Sequence, residues 1–132
     1  MLSSTFGPKG GLFAWQSVRQ FHNLILVEGL FDLAVLWQAG FRNTTCAIGT
    51  HLTPTQWTQL CENRDRCVYL AFDQDENQAG QNAAHALLQG LDQAGLNVRL
   101  VGLPPGHDPN SYFVAGATAN DFAHLLEEAP SL

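Results

Sequence analysis

Two apolar segments that each end at acidic residues constrain the fold of this chain more than any other feature. Residues 24–27 (Leu-Ile-Leu-Val) lead into Glu28, and residues 68–72 (Val-Tyr-Leu-Ala-Phe) lead into Asp73 and Asp75. Apolar runs of this length are typical of buried parallel strands. Because sites in open α/β sheets lie just beyond the carboxyl ends of the strands, we expect the three carboxylates to converge at one edge of a sheet.

Strand-like and helix-like segments alternate along the chain, which predicts a parallel sheet with right-handed crossovers. The expected fold class is α/β, with a four-stranded parallel sheet in a three-layer, Rossmann-like arrangement. The sheet order 2-1-3-4 is expected because it places Glu28 beside Asp73 and Asp75. The predicted strands span about residues 23–28, 44–48, 67–72 and 97–102, and the predicted helices about 30–39, 54–62, 78–94 and 120–128.

The three carboxylates predict a metal site. Asp73 and Asp75 are two residues apart, so in extended backbone both side chains point the same way. Carboxylates in one crevice repel each other unless a cation lies between them, and Mg²⁺ prefers oxygen ligands and keeps waters that phosphates can replace. This chemistry suits phosphoryl or nucleotidyl transfer. An Asp-x-Asp after a strand is also typical of a solvated turn or helix cap, which is the alternative interpretation.

The charge balance limits how the chain can bind nucleic acid. Six Lys and Arg residues stand against twelve Asp and Glu, and the basic residues are scattered. Phosphate neutralisation supplies most non-specific affinity, so a polynucleotide substrate would need positive charge from metal ions or another domain. No apolar stretch is long enough for a membrane span and no secretory signal is evident, so we expect a cytoplasmic protein.

The chain divides into two regions of different character. Residues 1–20 are glycine-rich and aperiodic, which predicts a linker or the edge of a preceding domain, and residues 21–130 form the main domain. Two histidines lie near the expected crevice. His51 follows Thr50 and has the position to contact a phosphate, although capping or packing is the alternative. His107 precedes Asp108 and has the position to contact a nucleotide.

Five short segments of the chain stand out together: Val27–Asp32, Ile48–Thr50, Phe72–Asp75, Ala79–Ala84 and Leu103–Asn110. Their order and spacing resemble those of the blocks of a TOPRIM domain. The arrangement is most similar to the catalytic core of bacterial DnaG-type primases, in the style of primase-like proteins of phages, plasmids and other mobile elements. The resemblance covers about residues 22–128 and implies that residues 21–130 are a TOPRIM domain.

The resemblance assigns roles to five acidic residues. It implies that Glu28 is a metal ligand or general acid–base group, and that Asp73 and Asp75 are the metal-binding pair. Asp108 matches an acidic position that assists metal binding. Asp32 matches the residue after the Glu-Gly block, which we interpret as capping a helix and ordering a loop.

Further residues fit nucleotide or nucleic-acid binding, and some depart from the family pattern. Asn110 stands where primases usually carry another aspartate, which weakens a second metal position. The loop Glu76–Gln78 is longer than usual and lacks a common arginine. The candidate nucleotide-binding or nucleic-acid-binding residues are Lys9, Thr50, His51, His107 and Asn110.

The resemblance implies Mg²⁺- or Mn²⁺-dependent synthesis of RNA primers from ribonucleoside triphosphates on a single-stranded DNA template. It also implies zinc-binding and basic domains on the same full-length chain and a helicase or other replication protein as partner. We expect the isolated fragment to be inactive or weak by itself. The alternatives are a TOPRIM nuclease that cuts phosphodiesters and a non-catalytic TOPRIM module that docks replication proteins. Triphosphate dependence separates primase from nuclease, and loss of metal affinity favours the docking module.

Overall fold

The sheet at the centre of the fold has four parallel strands. The structure, a computed structural model, describes residues 11–47, 52–72 and 78–131. The sheet order is β2-β1-β3-β4, which confirms the order expected from the sequence. Each strand pairs in parallel with its neighbour. The strands are β1 (Asn23–Val27), β2 (Thr44–Cys46), β3 (Cys67–Leu70) and β4 (Asn97–Leu100).

Helices connect the strands and cover the sheet. Four of the helices were expected from the sequence, with ends within two residues of the predicted ones. The described helices are α1 (Trp15–Val18), α2 (Leu30–Gln38), α3 (Pro54–Cys61), α4 (Gln78–Gln93), α5 (Pro109–Val114) and α6 (Ala119–Glu128). None of these described helices is long and apolar enough to span a bilayer.

The strands are buried on both faces, so the fold has three layers. Alternate residues of β1 belong to different clusters: Leu24 and Leu26 pack on one face, whereas Ile25 and Val27 pack on the other. The first cluster also holds Val18, Leu60 and Leu91 from α1, α3 and α4. The second holds Leu36 of α2 and Phe122 of α6. Burial on both faces explains why the strands are continuous apolar runs.

The described part of the N-terminal segment packs onto the domain. Leu12, Trp15 and Val18 are all buried in the first cluster. The Phe13 carbonyl accepts a hydrogen bond from Thr45 Oγ1 at 2.7 Å, which holds the segment along the edge strand β2. Residues 11–20 therefore cover a sheet edge, which protects it from pairing with another chain. Whether residues 1–20 belong to a preceding domain stays a prediction.

Helix α5 begins inside the segment Leu103–Asn110, where no helix was predicted from the sequence. Asp108 is its N-cap, and Asp108 Oδ1 accepts a hydrogen bond from the Ser111 amide at 2.7 Å. Pro109 occupies the first helical position, where a proline loses no helical hydrogen bond. Six residues are too few to give a periodic apolar pattern, which explains why this helix was not predicted.

Candidate metal and nucleotide site

The carboxyl ends of β1 and β3 lie side by side. Leu26 pairs with Leu70, and the Ala71 amide donates a 3.0 Å hydrogen bond to the Leu26 carbonyl. Continuing this register places Glu28 opposite Phe72. The adjacency of strands one and three, on which the site prediction depends, is therefore confirmed.

Glu28 stands at the turn from β1 into α2. The residue is half-buried, and Gly29 follows it as the N-cap of the helix. A Cβ atom on Gly29 would lie 3.1 Å from Asp32 Oδ2, closer than most side-chain contacts allow. Glycine at this position therefore lets the Asp32 carboxylate fold back against the turn that carries Glu28.

Asp32 is a buried carboxylate that joins two site segments. Only 5% of its surface is exposed, although it lies in the first turn of α2. Its Oδ1 accepts a 2.9 Å hydrogen bond from the backbone amide of Asn110, which lies in the first turn of α5. The helix dipole favours a negative charge at this end of α2. This contact agrees with the loop-ordering part of the predicted role of Asp32, and the helix-capping part stays a prediction.

The pKa of the Cys46 thiol is affected by the charges of Asp32 and Glu28, so it indicates the sign of the potential at the end of β1. Cys46 ends β2, pairs with Val27 and is fully buried. Burial, together with the smaller effect of the negative charges of Asp32 and Glu28, raises the pKa of the Cys46 thiol from 9.0 to about 12. The end of β1 is thus a region of negative potential. A cation beside Glu28 would reduce that repulsion.

The loop after β4 holds a compact polar cluster. The Ser111 hydroxyl lies 2.9 Å from His107 Nδ1 and accepts a hydrogen bond from the Asp108 amide at 3.1 Å. The His107 ring also packs edge-on against Tyr112, with 6.4 Å between the ring centroids. These contacts fix the His107 ring, and they give Asp108 a structural role as a helix cap.

Ser111 belongs to this cluster, and the sequence analysis did not identify it. Its position three residues after the Asp108 cap is the spacing of a capping box, in which side chain and backbone bond reciprocally. The signal was therefore present in the sequence as Asp-Pro-Asn-Ser. The contact with His107 adds a second role, because it fixes which way the imidazole points.

The full ligand set of the metal site stays a prediction. Among the described residues, no group of three His, Cys, Asp or Glu side chains is arranged to hold a metal ion. Of the predicted site residues, the structure describes Glu28, Asp108, His107 and Asn110, and the hydrogen bond from Asn110 to Asp32 ties the loop after β4 to the turn after β1. Five further predicted site residues lie outside the described part of the chain: Lys9, Thr50, His51, Asp73 and Asp75.

Comparison with known proteins identifies the class of this domain. The sequence model of the family described as Toprim-like matches residues 25–113, about two thirds of the chain. The chain therefore belongs to the Toprim-like family. More particularly, it is a TOPRIM domain of the type found in DnaG primases, as the resemblance implied.

The relatives that carry this assignment are bacterial DNA primases. The DNA primase of Aquifex aeolicus is 40% identical over 88 residues, which are 67% of this chain and 17% of the primase. A crystal structure of the Aquifex aeolicus primase, comprising its zinc-binding and RNA polymerase domains, superimposes with a TM-score of 0.77 and 31% identity. That match covers 93% of this chain and 30% of the crystallised one.

A further solved structure is informative because of what it contains. The catalytic domain of a DnaG primase bound to single-stranded DNA matches with a TM-score of 0.73 and 25% identity, over 92% of this chain and 39% of that one. This chain thus spans less than half the length of the primases it matches. The predicted origin in a mobile element stays a prediction.

Proposed function

We propose that this domain is the metal-dependent nucleotidyl-transfer core of a DNA primase that makes RNA primers on single-stranded DNA. The observation that carries the proposal is the pairing of β1 with β3. It places β1, which Glu28 follows directly, beside β3, and Asp73 and Asp75 follow the end of β3 in the sequence by three and five residues. The similarity to primases supports the same chemistry.

Glu28, Asp73 and Asp75 are the proposed ligands of Mg²⁺ or Mn²⁺, with Asp108 assisting. Their carboxylate oxygens suit a hard divalent cation. The pKa of the Cys46 thiol is raised by burial and by the negative charges of Asp32 and Glu28. Negative charge near Glu28 would favour the binding of a cation there, which supports the proposed metal site. When bound, the ion would neutralise phosphoryl oxygens and orient the primer hydroxyl for attack on the triphosphate.

The role that we propose for the loop after β4 is to position the nucleotide. The Asp32–Asn110 hydrogen bond holds that loop against the turn after β1. The His107 ring is fixed at Nδ1 by Ser111, so Nε2 is the atom that we propose to contact a phosphate. Asn110 would contribute a polar side chain in the same loop. Lys9, Thr50 and His51 are further proposed contacts to nucleotide or nucleic acid.

The proposed partners follow from the charge of the chain. With a formal net charge of −6, this domain is a poor ligand for DNA by itself. Template binding is therefore proposed to need zinc-binding and basic domains of a longer primase, acting with a helicase or another replication protein in the cytoplasm. Without them, we expect this domain to have little or no primer synthesis of its own.

Calorimetric titration with Mn²⁺ tests the metal site. We expect the wild-type domain to bind the ion, the Asp73→Asn/Asp75→Asn double variant to lose binding, and Glu28→Gln to bind more weakly. Asp65→Asn is the matched control, because Asp65 is exposed and precedes β3, so it lies at the amino ends of the strands, away from the proposed site. An unchanged affinity in the double variant would refute the proposed ligand set.

The reaction is tested on a longer primase that contains this domain. Primer synthesis that requires ribonucleoside triphosphates and is lost in Asp73→Asn/Asp75→Asn would support nucleotidyl transfer. Cutting of DNA with metal but without triphosphates would instead identify a nuclease. A wild-type domain that binds no metal in either setting would favour a docking module.

A further inference from the structure

The first turn of α2 reverses the usual pattern of burial. Phe31 is 78% exposed, whereas the adjacent Asp32 is only 5% exposed. Aspartate is almost never buried unless it is paired, and a large aromatic side chain gains by leaving water. A turn that buries its carboxylate and exposes its aromatic ring breaks the local rule at both positions. Such departures are expected at functional sites.

The core of the domain does not require this arrangement. Leu33 and Leu36 provide the packing of α2 against the sheet, so the Phe31 ring contributes little to the core. The buried Asp32, in contrast, fixes the turn through its hydrogen bond to the Asn110 amide. The backbone that carries Phe31 is therefore held in place, and an aromatic ring on a fixed backbone loses little freedom when it binds a ligand.

Phe31 lies at the edge of the sheet where the proposed metal site lies. It follows Glu28 by three residues, a length of chain that spans at most about 11 Å. Leu30, which lies between them, is 39% exposed and adds apolar surface. A single nucleotide with its phosphates beside Glu28 therefore has the reach to bring its base to the Phe31 ring.

The composition of the chain favours a base as the occupant. Affinity for nucleic acid through phosphate contacts needs lysine and arginine, and this chain has only six of them against twelve acidic residues. Stacking on an aromatic ring needs no positive charge and accepts any base, because each base has a π-face. Stacking at Phe31 would thus supply affinity that the charge of the domain opposes.

We propose that Phe31 is a stacking platform for the base of the nucleotide whose phosphates are bound beside Glu28. The inference rests on the proposed function, since it takes the phosphates to be held by the carboxylate site. The base belongs either to a nucleoside triphosphate or to a single-stranded template.

The test compares two ligands that share phosphates but differ in having a base. Binding of ATP and of inorganic tripolyphosphate, each with Mn²⁺, is measured by calorimetry on the 132-residue chain. Phe31→Ala should weaken ATP binding about 5- to 150-fold, the range for loss of one stacked base. Tripolyphosphate binding should not change. Glu28→Gln should weaken both ligands.

Three control variants make the result specific to an aromatic ring. Phe31→Tyr should retain ATP affinity because it keeps a ring, whereas Phe31→Leu, which keeps apolar area only, should behave like Phe31→Ala. Phe21→Ala is the matched control at the other edge of the sheet: Phe21 is 37% exposed and precedes β1, so its removal should leave both affinities unchanged.

A second arm identifies the source of the base. Binding of a single-stranded oligothymidylate is compared with binding of an abasic oligonucleotide of equal length, in wild type and Phe31→Ala. If Phe31→Ala loses only the preference for ATP over tripolyphosphate, the stacked base belongs to the triphosphate. If it loses only the preference for oligothymidylate over the abasic oligonucleotide, the stacked base belongs to the template.

Each negative result has a distinct meaning. If wild type binds both ATP and tripolyphosphate but Phe31→Ala alters neither ATP nor oligonucleotide binding, the stacking role is overturned while the metal site stands. This outcome would favour a protein-docking role for the exposed ring. If wild type binds neither phosphate ligand, the proposed function and the stacking role fail together.

Discussion

In the described part of the chain two charged residues are buried, one where the strands end (the carboxyl edge of the sheet) and one where they begin (the amino edge), and the two residues differ in what surrounds them. Asp32 lies at the carboxyl edge and Arg66 at the amino edge, just before β3, with 5% and 1% of their surfaces exposed. Each donates or accepts hydrogen bonds with the backbone of a distant segment. Both therefore fasten a loop or helix to the sheet, but only Asp32 does so beside proposed site residues.

Arg66 has a structural environment. Its Nη2 donates a 3.0 Å hydrogen bond to the Arg19 carbonyl, and its guanidinium lies 5.1 Å from the centre of the Trp15 ring. Among the described residues, no partner is found for its buried Nε atom. Burial lowers the pKa of the guanidinium, although arginine stays charged in proteins. The charge at this edge serves to attach α1 to the domain.

Asp32 places its charge near one other described carboxylate, that of Glu28. Burial of the Asp32 carboxylate already costs free energy because the charge leaves water. Its repulsion with the nearby Glu28 charge, which also raises the pKa of the Cys46 thiol, adds to that cost. A neutral side chain that accepts the Asn110 hydrogen bond would fasten the loop with less repulsion. The comparison teaches that a buried charge can be purely structural at one edge, while at the other it lies beside the proposed cation site.

Removal of the Arg66 side chain is expected to have the largest effect on stability. Arg66→Ala should lower the free energy of unfolding by about 3 kcal/mol, because it leaves a cavity and removes the stacking on Trp15. Urea denaturation measures this loss. Arg64→Ala is the control on the same loop: Arg64 is exposed and donates a hydrogen bond to the Ala94 carbonyl, so its removal should cost less than about 1 kcal/mol.

The same Arg66 variant also tests whether the two edges are separate. Mn²⁺ affinity should be unchanged in folded Arg66→Ala protein, because the contacts of Arg66 lie at the amino edge. A variant that folds but binds Mn²⁺ more weakly would contradict the separation.

Substitution of Asp32 should give a smaller loss of stability together with a loss of function. Asp32→Ala should cost about 2 kcal/mol, the range for a hydrogen bond to a charged group, and should weaken Mn²⁺ binding because the loop that carries Asp108 is released. Asp32→Asn keeps an acceptor oxygen and should retain more of the stability. Denaturation and calorimetry on the same samples measure both. Unchanged Mn²⁺ affinity in Asp32→Ala would show that Asp32, like Arg66, has a structural role only.

The difference between these two residues also marks how far the sequence can be interpreted. The alternation of apolar runs and helical segments predicted the parallel sheet, and the convergence expected of the acidic residues predicted its order. The helix predicted over about residues 54–62 is α3, and Thr53 and Gln56 form a complete capping box at its start. These features depend on local pattern and on the chirality of crossovers. The contact from Asp32 to Asn110 joins positions 78 residues apart, and no local pattern specifies it.

The burial of Arg66 was equally inaccessible to sequence. A lone arginine beside an exposed Asp65 has the composition of a solvated loop, and arginine is mostly exposed in proteins. Helix α1 was missed for a related reason, since four residues that begin after Ala14 in a left-handed conformation show no periodicity. In both cases tertiary packing overrides the local signal.

A matched pair of capping boxes separates stability from site function. Ser111→Ala and Asp121→Ala each remove the third helical residue of a capping box, in α5 and α6 respectively, and each should cost about 1 kcal/mol. Only Ser111 also contacts His107. Nucleotide binding with Mn²⁺ should therefore weaken in Ser111→Ala alone. Equal effects on binding in the two variants would remove His107 from the proposed contacts.

The smallest expected effect is the pH dependence that Cys46 contributes. The ordinary pKa of the thiol is 9.0, and in the folded protein burial, with the charges of Asp32 and Glu28, raises it to about 12. Below pH 9 the thiol is protonated in both states and its contribution to stability is complete. As the pH rises above 9, the unfolded chain releases a proton that the folded protein retains, so the contribution is lost progressively until the folded thiol itself titrates near pH 12.

Comparison of wild type with Cys46→Ala isolates this contribution, because other titrating groups are common to both. Between pH 8 and pH 9.5 wild type should lose about 0.8 kcal/mol more than Cys46→Ala. An Asp32→Asn background should change this difference very little, because between pH 8 and pH 9.5 the loss comes from ionisation of the thiol in the unfolded chain, whose pKa is 9.0. An Arg66→Ala background should leave it unchanged. An equal loss in wild type and Cys46→Ala would contradict the raised pKa of the folded thiol, and with it the burial and negative charge at the carboxyl edge that cause it.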